Sequence, residues 1–421
     1  MAIVGGCRTP FTRAGSDYRD LTALDLGTLA VRELVERTEV DPASVGLVVM
    51  GQVVPSVQAP NLGREAALRA GLPRTTPAHS VNRACASSNQ AIADVASAIL
   101  AGHAEVGIAG GAESLSDVPI LHSRRMARML VEASRARSFG TRLRAFAAFR
   151  PKDLVPQTPA IAEPSTGLSM GQSAEKMAKE NGISRAEQDE IAYQSHARAA
   201  RALDDGRLGP EICRVLAPPR YEVEVTQDNL LRRDTTLEAL AKLPAVFDRR
   251  HGSVTAGNSS PLTDGAAAVL LMSEEKAKAV GAEPLAFIRS WAVAAVDPGG
   301  QLLMGPALAI PLALERAKLR LADVDLVEMH EAFAVQVASN LQALESRAWA
   351  EAHGRPEPVG RVDRERLNVS GGSIALGHPF GATGARITTT LAREMKRRDA
   401  TFGLLSVCAQ GGMGFAMVLE R

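Results

Sequence analysis

PASVGLVVMGQ, Pro42 to Gln52, and LADVDLVEMHE, Leu321 to Glu331, decide the fold when set side by side. Aligned on Val45 and Val324, they share one apolar pattern and end in a polar turn. Two further pairs follow in the same order. The strand-turn-helix of TPAHSVNRACASSNQAIADVASAILAG (Thr76–Gly102) is echoed by VSGGSIALGHPFGATGARITTTLA (Val369–Ala392), and AEVGIAGGAE (Ala104–Glu113) by ATFGLLSVCAQGG (Ala400–Gly412). The spacing between equivalent positions grows along the chain, so these are sibling halves with insertions and not a short solenoid repeat. Strand and helix patterns alternate within each half, which predicts an α/β fold. VGLVVMGQVV and VGIAGGAESL read as strands running into glycine-rich turns. NQAIADVASAILAG and TGARITTTLAREMKRR read as helices, apolar on one side and closed by glycine or basic residues.

With 421 residues the chain has room for two or three core-bearing units. Its net charge of +1 and 23% charged residues demand neither nucleic acid nor an acidic partner. Aromatic residues are only 4%, while Ala, Gly, Val and Leu abound, which suits closely packed helix-on-sheet layers. Cys7, Cys85, Cys213 and Cys408 form no C-x-x-C pair and no metal-ligand spacing, so a reducing compartment and no metal are expected. MAIVGGCRTPF passes straight into a strand pattern without a signal-peptide design, and the terminal MVLER is not a peroxisomal tripeptide. No apolar run reaches the roughly 18 residues of a membrane span. The expected location is cytoplasmic.

An irregular, basic stretch from about Pro119 to Ala245 separates the halves. It holds a proline-rich loop, VPQTPAIAEPSTG, and a helical MGQSAEKMAKENGISRAEQDEIAYQSHARAARAL. GSVTAGNSSPLTDGAAAVLLMS then returns to strand character. The expected division is an N-terminal half (1–118 with 246–281), an inserted loop domain (119–245) and a C-terminal half (282–421). Within the insertion, RRMARMLVEASRARSFGTRLRAFAAFRPK (Arg124–Lys152) reads as basic amphipathic helix anchored by Met126, Met129, Leu130, Phe139, Leu143, Phe146 and Phe149. A solvated helix with its apolar side on the core has the same pattern. A docking surface for an anionic membrane, for the 3′-phosphate of a nucleotide or for a partner subunit is the functional alternative.

A pseudo-twofold axis between the halves brings equivalent helix starts together. It sets the turn at Cys85 opposite that at His378, with Cys408 delivered beside them by the third repeat. A helix start or a paired histidine lowers a thiol's pKa from about 8.5. Ala84, Ala86 and Ser87 leave room for a carbonyl, and Gly411, Gly412 and Gly414 let backbone N–H groups approach an oxyanion. Singly, Cys85 reads as a small core residue, His378 as a structural histidine and the glycines as a turn. Their convergence argues for chemistry.

NRACASSNQA, GGAES, TAGNSSPLTDGAA, HEAFA, GGSIALGHPFGATGAR and CAQGGMG resemble the thiolases, in the family's order and over essentially the whole chain. The resemblance implies a duplicated five-layer α-β-α-β-α fold with a loop domain inserted in the first half. It implies that Cys85 is the acylated nucleophile, His378 its base and Cys408 the acid/base at the α-carbon. The implied reaction is thiolysis of a 3-ketoacyl-CoA, with coenzyme A as substrate and no tightly bound cofactor. Many thiolases have Asn where this chain has His330. His at that place resembles the β-subunits of fatty-acid-oxidation trifunctional enzymes, as do STGLSMGQSAEKMAKENGISR and the basic stretch before it. This favours a degradative enzyme, forming a homodimer or homotetramer, with a hydratase/dehydrogenase α-subunit as a candidate partner. Gln410 stands where a short-chain thiolase has glycine, but its backbone N–H can still serve an oxyanion hole. By motif position Ser260, Phe247, Met170 and Phe333 lie along CoA. The rivals are a biosynthetic acetoacetyl-CoA thiolase, a β-ketoacyl synthase, and a non-catalytic CoA- or lipid-binding subunit. The second cysteine argues against the synthase, and the intact set of Cys85, His378 and Cys408 against the non-catalytic forms.

Overall fold

The computed structural model describes residues 1–156 and 162–421, so the middle of the proline-rich loop, 157–161, lies outside the described residues. The first half contributes β1 (Ala2–Arg8), β2 (Thr12–Arg13), β3 (Leu47–Gly51), β4 (Ala78–Val81) and β5 (Val106–Glu113). A separate two-stranded sheet is made by β6 (Val215–Ala217) and β7 (Val223–Val225), and β8 (Thr263–Met272) returns to the first half. The second half contains β9 (Ala286–Ala295), β10 (Leu326–Met329), β11 (Phe402–Ala409) and β12 (Met413–Glu420).

The aligned pair Pro42–Gln52 and Leu321–Glu331 folds the same way twice. Each opens with a 3₁₀ turn, Pro42–Ser44 or Leu321–Asp323, and enters a strand, β3 or β10. The strand neighbours repeat as well: β1–β8–β5–β3–β4 in one half and β9–β12–β11–β10 in the other. β8 runs antiparallel to β1 and β5, as β12 does to β9 and β11. β3 is parallel to β5, as β10 is to β11. Where β4 lies parallel to β3, the second half keeps only an isolated parallel bridge, Val327 to Leu367. β1 and β9 pair at Ala2–Phe287 and Ile3–Ala286, which joins the two sheets edge to edge.

Strand alternation sorts side chains into layers. On β5, Ile108 faces an outer cluster with Leu26 and Val31 of the Ala23–Thr38 helix, whereas Ala109 faces inward. On β12, Val418 packs outward with Ile310 and Leu314 of the Gly305–Ala317 helix, and Phe415 and Met417 face inward. Between the sheets lie the Ser87–Leu100 and Thr383–Arg398 helices, whose Ile92, Val95, Ile387 and Leu391 share the inner cluster with both sheets. The result is five layers, α-β-α-β-α. Each fully buried aliphatic side chain contributes roughly 1.5–3 kcal/mol. The central helices need small residues where they cross: a Cβ on Gly384 would lie 2.1 Å from Asn89 Oδ1.

β11 and β12 are joined by a tight turn in which Gly411 and Gly412 adopt φ of 85° and 74°. The equivalent connection in the first half, from β5 to β8, carries the whole inserted segment. Its Met170–Asn181 helix is capped by Ser169 with a reciprocal Gln172 contact and ends at Gly182 in the left-handed region. The Arg124–Lys152 stretch corrects the expectation of one helix. It forms two helices, Arg124–Arg135 and Phe139–Ala145, each started by its own serine cap, Ser123 and Ser138. Met126 and Met129 face the protein, whereas Phe139 is 76% and Leu143 58% exposed. Among the described residues no helix is long and apolar enough to cross a membrane.

Candidate active site

Cys85 stands in the turn between β4 and the Ser87–Leu100 helix. The preceding Ala84 has φ 46°, a left-handed conformation that costs a residue with a Cβ about 1–2 kcal/mol. Three hydrogen bonds hold it there. Ala84 N–H donates to Asn82 Oδ1 at 2.9 Å, Arg83 N–H to Ser87 Oγ at 2.9 Å, and Ser87 Oγ–H to the Ala84 carbonyl at 2.6 Å. The strained turn aims the thiol toward the second half. The expected lowering of its pKa is not met: burial of the sulfur pushes the Cys85 thiol up to about 12, although N–H groups of Gln410 and of Cys85 itself pull the other way. A helix start two residues away does not offset the loss of water. At neutral pH the thiol keeps its proton.

The histidine turns meet this thiol. The His330 and His378 rings stand 4.1 Å apart between centroids, tilted by 48°. A ring nitrogen of each, together with Cys85 Sγ, forms a group whose atoms all lie within 4.8 Å of one another. Both Nδ1 atoms are anchored behind the site, His330 by Ser373 Oγ at 2.8 Å and His378 by Thr383 Oγ1 at 2.6 Å. Both Nε2 atoms are buried and have no hydrogen-bond partner among the described residues. Buried polar nitrogens without partners cost about 1–3 kcal/mol each, so they mark a place where a ligand completes the bonding. Burial, with Arg386 adding to it, holds His378 down to about 3; burial, His378 and Arg386 hold His330 well below the usual histidine range. Both rings are neutral at pH 7, and a neutral Nε2 can accept a proton from Cys85.

Cys408, one residue before the end of β11, pairs with Gly414 and is fully buried. Burial raises its thiol well above the ordinary value, and the neighbouring Cys85 raises it further. The glycines after it differ from expectation. Gly411 N–H is already committed to Glu163 Oε2 at 2.9 Å, and the Gly412 carbonyl accepts from Val296 N–H at 2.8 Å. Gly414 is small because Gly305 is pressed against it: a Cβ there would lie 2.0 Å from the Gly305 carbonyl carbon. Besides that of Cys85 itself, the backbone N–H that reaches the Cys85 sulfur is that of Gln410.

The four residues expected along CoA gather on one side of this centre. Phe247 and Phe333 meet edge to face, 6.2 Å between centroids. Phe247 also covers the start of the Met170–Asn181 helix so closely that a Cβ on Gly171 would lie 2.0 Å from its ring. Met170, Phe247 and Phe333 border the same apolar cluster as Cys408. Ser260 donates through both N–H and Oγ to the Ala332 carbonyl, at 3.0 and 3.1 Å, which ties it to the HEAFA turn.

Several supporting residues were not singled out in the sequence. The buried Glu113 carboxylate accepts N–H groups of Val53, Val54 and Gly381, pinning the His378 turn to the first half, and burial raises it to about 7. Glu331 accepts from Ser195 Oγ, Asn368 Nδ2 and Ile374 N–H, and so fixes the residue beside His330. Acidic residues next to glycines and apolar strands were the available signal, since such groups stay buried only when fully bonded.

A duplicated sheet pair with a thiol, two neutral imidazoles and a second thiol converging between its halves defines a class of acyl-transferring thiol enzyme. The chain belongs to the thiolase family: its residues 1–275 match the thiolase N-terminal domain and 282–421 the thiolase C-terminal domain. It is 50% identical over 421 residues to a 3-ketoacyl-CoA thiolase of Serratia proteamaculans and 51% identical to one of Pectobacterium atrosepticum, covering 100% of this chain and 96% of each relative. Among solved structures, human mitochondrial 3-ketoacyl-CoA thiolase in complex with CoA superposes with a TM-score of 0.85 at 34% identity, over 100% of this chain and 97% of that one. A Bacillus anthracis acetyl-CoA acetyltransferase gives 0.83 at 35% identity, over 100% and 98%.

Proposed function

We propose that the protein is a 3-ketoacyl-CoA thiolase that works through a Cys85 acyl-enzyme. The carrying observation is the pair of unpartnered, buried Nε2 atoms beside the Cys85 sulfur, with Cys408 as its neighbour. His378 Nε2 takes the Cys85 proton as sulfur attacks the 3-keto carbon, and the C2–C3 bond then breaks. The departing acetyl-CoA enolate, its oxygen facing His330 and His378, takes a proton from Cys408. Free CoA gives its thiol proton to the Cys408 thiolate and attacks the acyl-enzyme. The Cys85 sulfur leaves, recovers its proton from His378, and an acyl-CoA two carbons shorter is released. Two thiols are needed because both C–S and C–C bonds are made and broken.

Met170, Phe247, Phe333 and Ser260 are proposed to line CoA, which is a substrate and not a resident cofactor. The proposed division is two thiolase halves, 1–118 with 246–281 and 282–421, around the inserted 119–245. His330 in place of asparagine supports a degradative role in fatty-acid β-oxidation, and the protein is proposed to be a cytoplasmic homodimer or homotetramer. Basic residues flanking the exposed Phe139 and Leu143 support docking of the 124–152 segment on an anionic membrane, at about 1 kcal/mol per arginine. Replacing Arg137, Arg142 and Arg144 with Glu should abolish co-flotation with anionic liposomes while thiolysis of acetoacetyl-CoA persists. Co-flotation unchanged, or absent from the unmodified protein, refutes the docking, and capture of a hydratase/dehydrogenase subunit instead reassigns the surface. The function is tested by supplying a 3-ketoacyl-CoA with CoA and following loss of the ketoacyl absorbance. No loss with either acetoacetyl-CoA or a long-chain substrate overturns it.

A further inference from the structure

We infer that the two active-site histidines are held in opposite tautomers, and that Ser373, oriented by Arg386, is the positioning residue that makes His330 a hydrogen-bond donor toward substrate. Ser373 Oγ stands 2.8 Å from His330 Nδ1 and 3.0 Å from Arg386 Nη2. A guanidinium can only donate, so Ser373 Oγ accepts from Arg386 and has one proton left to give. Among the described residues Ser373 Oγ meets no other acceptor, so that proton goes to His330 Nδ1. A neutral imidazole that accepts at Nδ1 carries its own hydrogen on Nε2, the buried nitrogen that has no hydrogen-bond partner among the described residues.

His378 is arranged the other way. The Thr383 hydroxyl donates to the Pro379 carbonyl at 3.0 Å, so its oxygen accepts the His378 Nδ1–H at 2.6 Å. Nε2 of His378 is then a lone pair. One ring can take a proton from Cys85 while the other presents one to a developing oxyanion, and two hydroxyls on the same chain segment decide which is which.

Arg386 is buried at unusual cost for this single task. Its Nε and Nη1 have no hydrogen-bond partner among the described residues, and its ion pair with Glu328 is long, 4.0 Å. The bond to Ser373 is the one its side chain makes there.

The inference rests on the thiolase reading for its kinetic consequence but not for its spectroscopic one. The test is long-range ¹⁵N–¹H correlation spectroscopy on protein labelled at histidine, with His330→Asn and His378→Asn variants assigning the two rings. The wild-type protein should show His330 as the Nε2–H form and His378 as the Nδ1–H form. Ser373→Ala should shift His330 toward Nδ1–H and lower acetoacetyl-CoA cleavage about 10²-fold or more, as loss of one oxyanion donor does. Iodoacetamide labelling of Cys85 should be unchanged, and Ser373→Thr, which keeps the hydroxyl, should restore tautomer and rate. An Nδ1–H form of His330 in the wild type, or an unaltered tautomer in Ser373→Ala, overturns the inference. So does equal impairment of the Ala and Thr variants, which marks Ser373 as merely structural. If the wild-type enzyme cleaves no ketoacyl-CoA, the functional reading falls while the spectra still decide the tautomers.

Discussion

Cys85 and His378 should rest as a neutral thiol and a neutral imidazole, not as a thiolate–imidazolium pair, and alkylation kinetics can separate the two. Burial takes the thiol to about 12 and the imidazole to about 3, both in the direction that disfavours charge. Direct ionisation then leaves only about one thiolate in 10⁵ at pH 7, whereas an ordinary thiol near 8.5 has about 3%. Reaction must therefore run through proton transfer to His378 Nε2 as the carbon–sulfur bond forms. Such general-base assistance is worth about 10² to 10⁴. The assay is the rate of iodoacetamide alkylation at Cys85, followed by peptide mass mapping from pH 5 to 9. Neither group titrates between pH 5 and 9, so in the wild type the rate should be flat with pH and slower in D2O, and Cys85 should still label before the buried Cys7 and Cys213. His378→Asn should slow it by at least 10²-fold at pH 7, while His330→Asn should have little effect. A rate that rises tenfold per pH unit across this range means direct ionisation unassisted by His378, and a rate no slower in D2O means a preformed ion pair; either refutes the reasoning. Labelling of Cys7 or Cys213 with Cys85 untouched refutes the assignment of the nucleophile.

Three further outcomes are expected. Cys408→Ala should still be acylated at Cys85 by an acyl-CoA, yet lose ketoacyl cleavage and α-proton exchange by about 10² to 10⁴; full cleavage activity contradicts its role. Gly384→Ala should destabilise the fold by about 1–3 kcal/mol in urea unfolding, because the new methyl meets Asn89 where the central helices cross; an unchanged midpoint contradicts that packing. Stability should also fall on acidification: the unfolded chain binds protons near pH 6.5 that folded His378, His330 and His196 refuse, so their contribution is full above that pH and declines below it, by roughly 1.4 kcal/mol per pH unit for each histidine. Glu113, raised to about 7, has the opposite sign, stabilising below about pH 4.5 and losing that contribution as pH rises through 7. Comparing His330→Asn with the wild type isolates one histidine, and the variant should lose less stability between pH 7 and pH 5; parallel losses contradict the buried neutral state.

The fold was legible because duplication writes the same apolar pattern twice, and Val45 and Val324 do occupy equivalent turns before equivalent strands. Cys85, His378 and Cys408 were legible as convergent because each sits at a repeat boundary. What escaped depends on burial and on partners far along the chain. Ser373 looks like part of a glycine-rich turn until His330, 43 positions away, is found at its hydroxyl. The direction of the Cys85 shift was misjudged because a helix start is visible in sequence, whereas the layers that exclude water are not. Gly411 looked free to serve an oxyanion until Glu163, from the inserted segment, was found on its N–H. The basic stretch suggested one helix because arginine and apolar spacing stay nearly periodic across Ala136–Ser138, where the chain in fact breaks and caps a second one.

The most direct test of the central claim is the intact mass of the protein after mixing with a 3-ketoacyl-CoA in the absence of free CoA, with the adduct mapped by peptide sequencing. A single shortened acyl group on Cys85, discharged as acyl-CoA when CoA is added and absent from Cys85→Ala, is the expected result. Ketoacyl cleavage with no acyl group on Cys85, or with the group on another residue, would contradict the account.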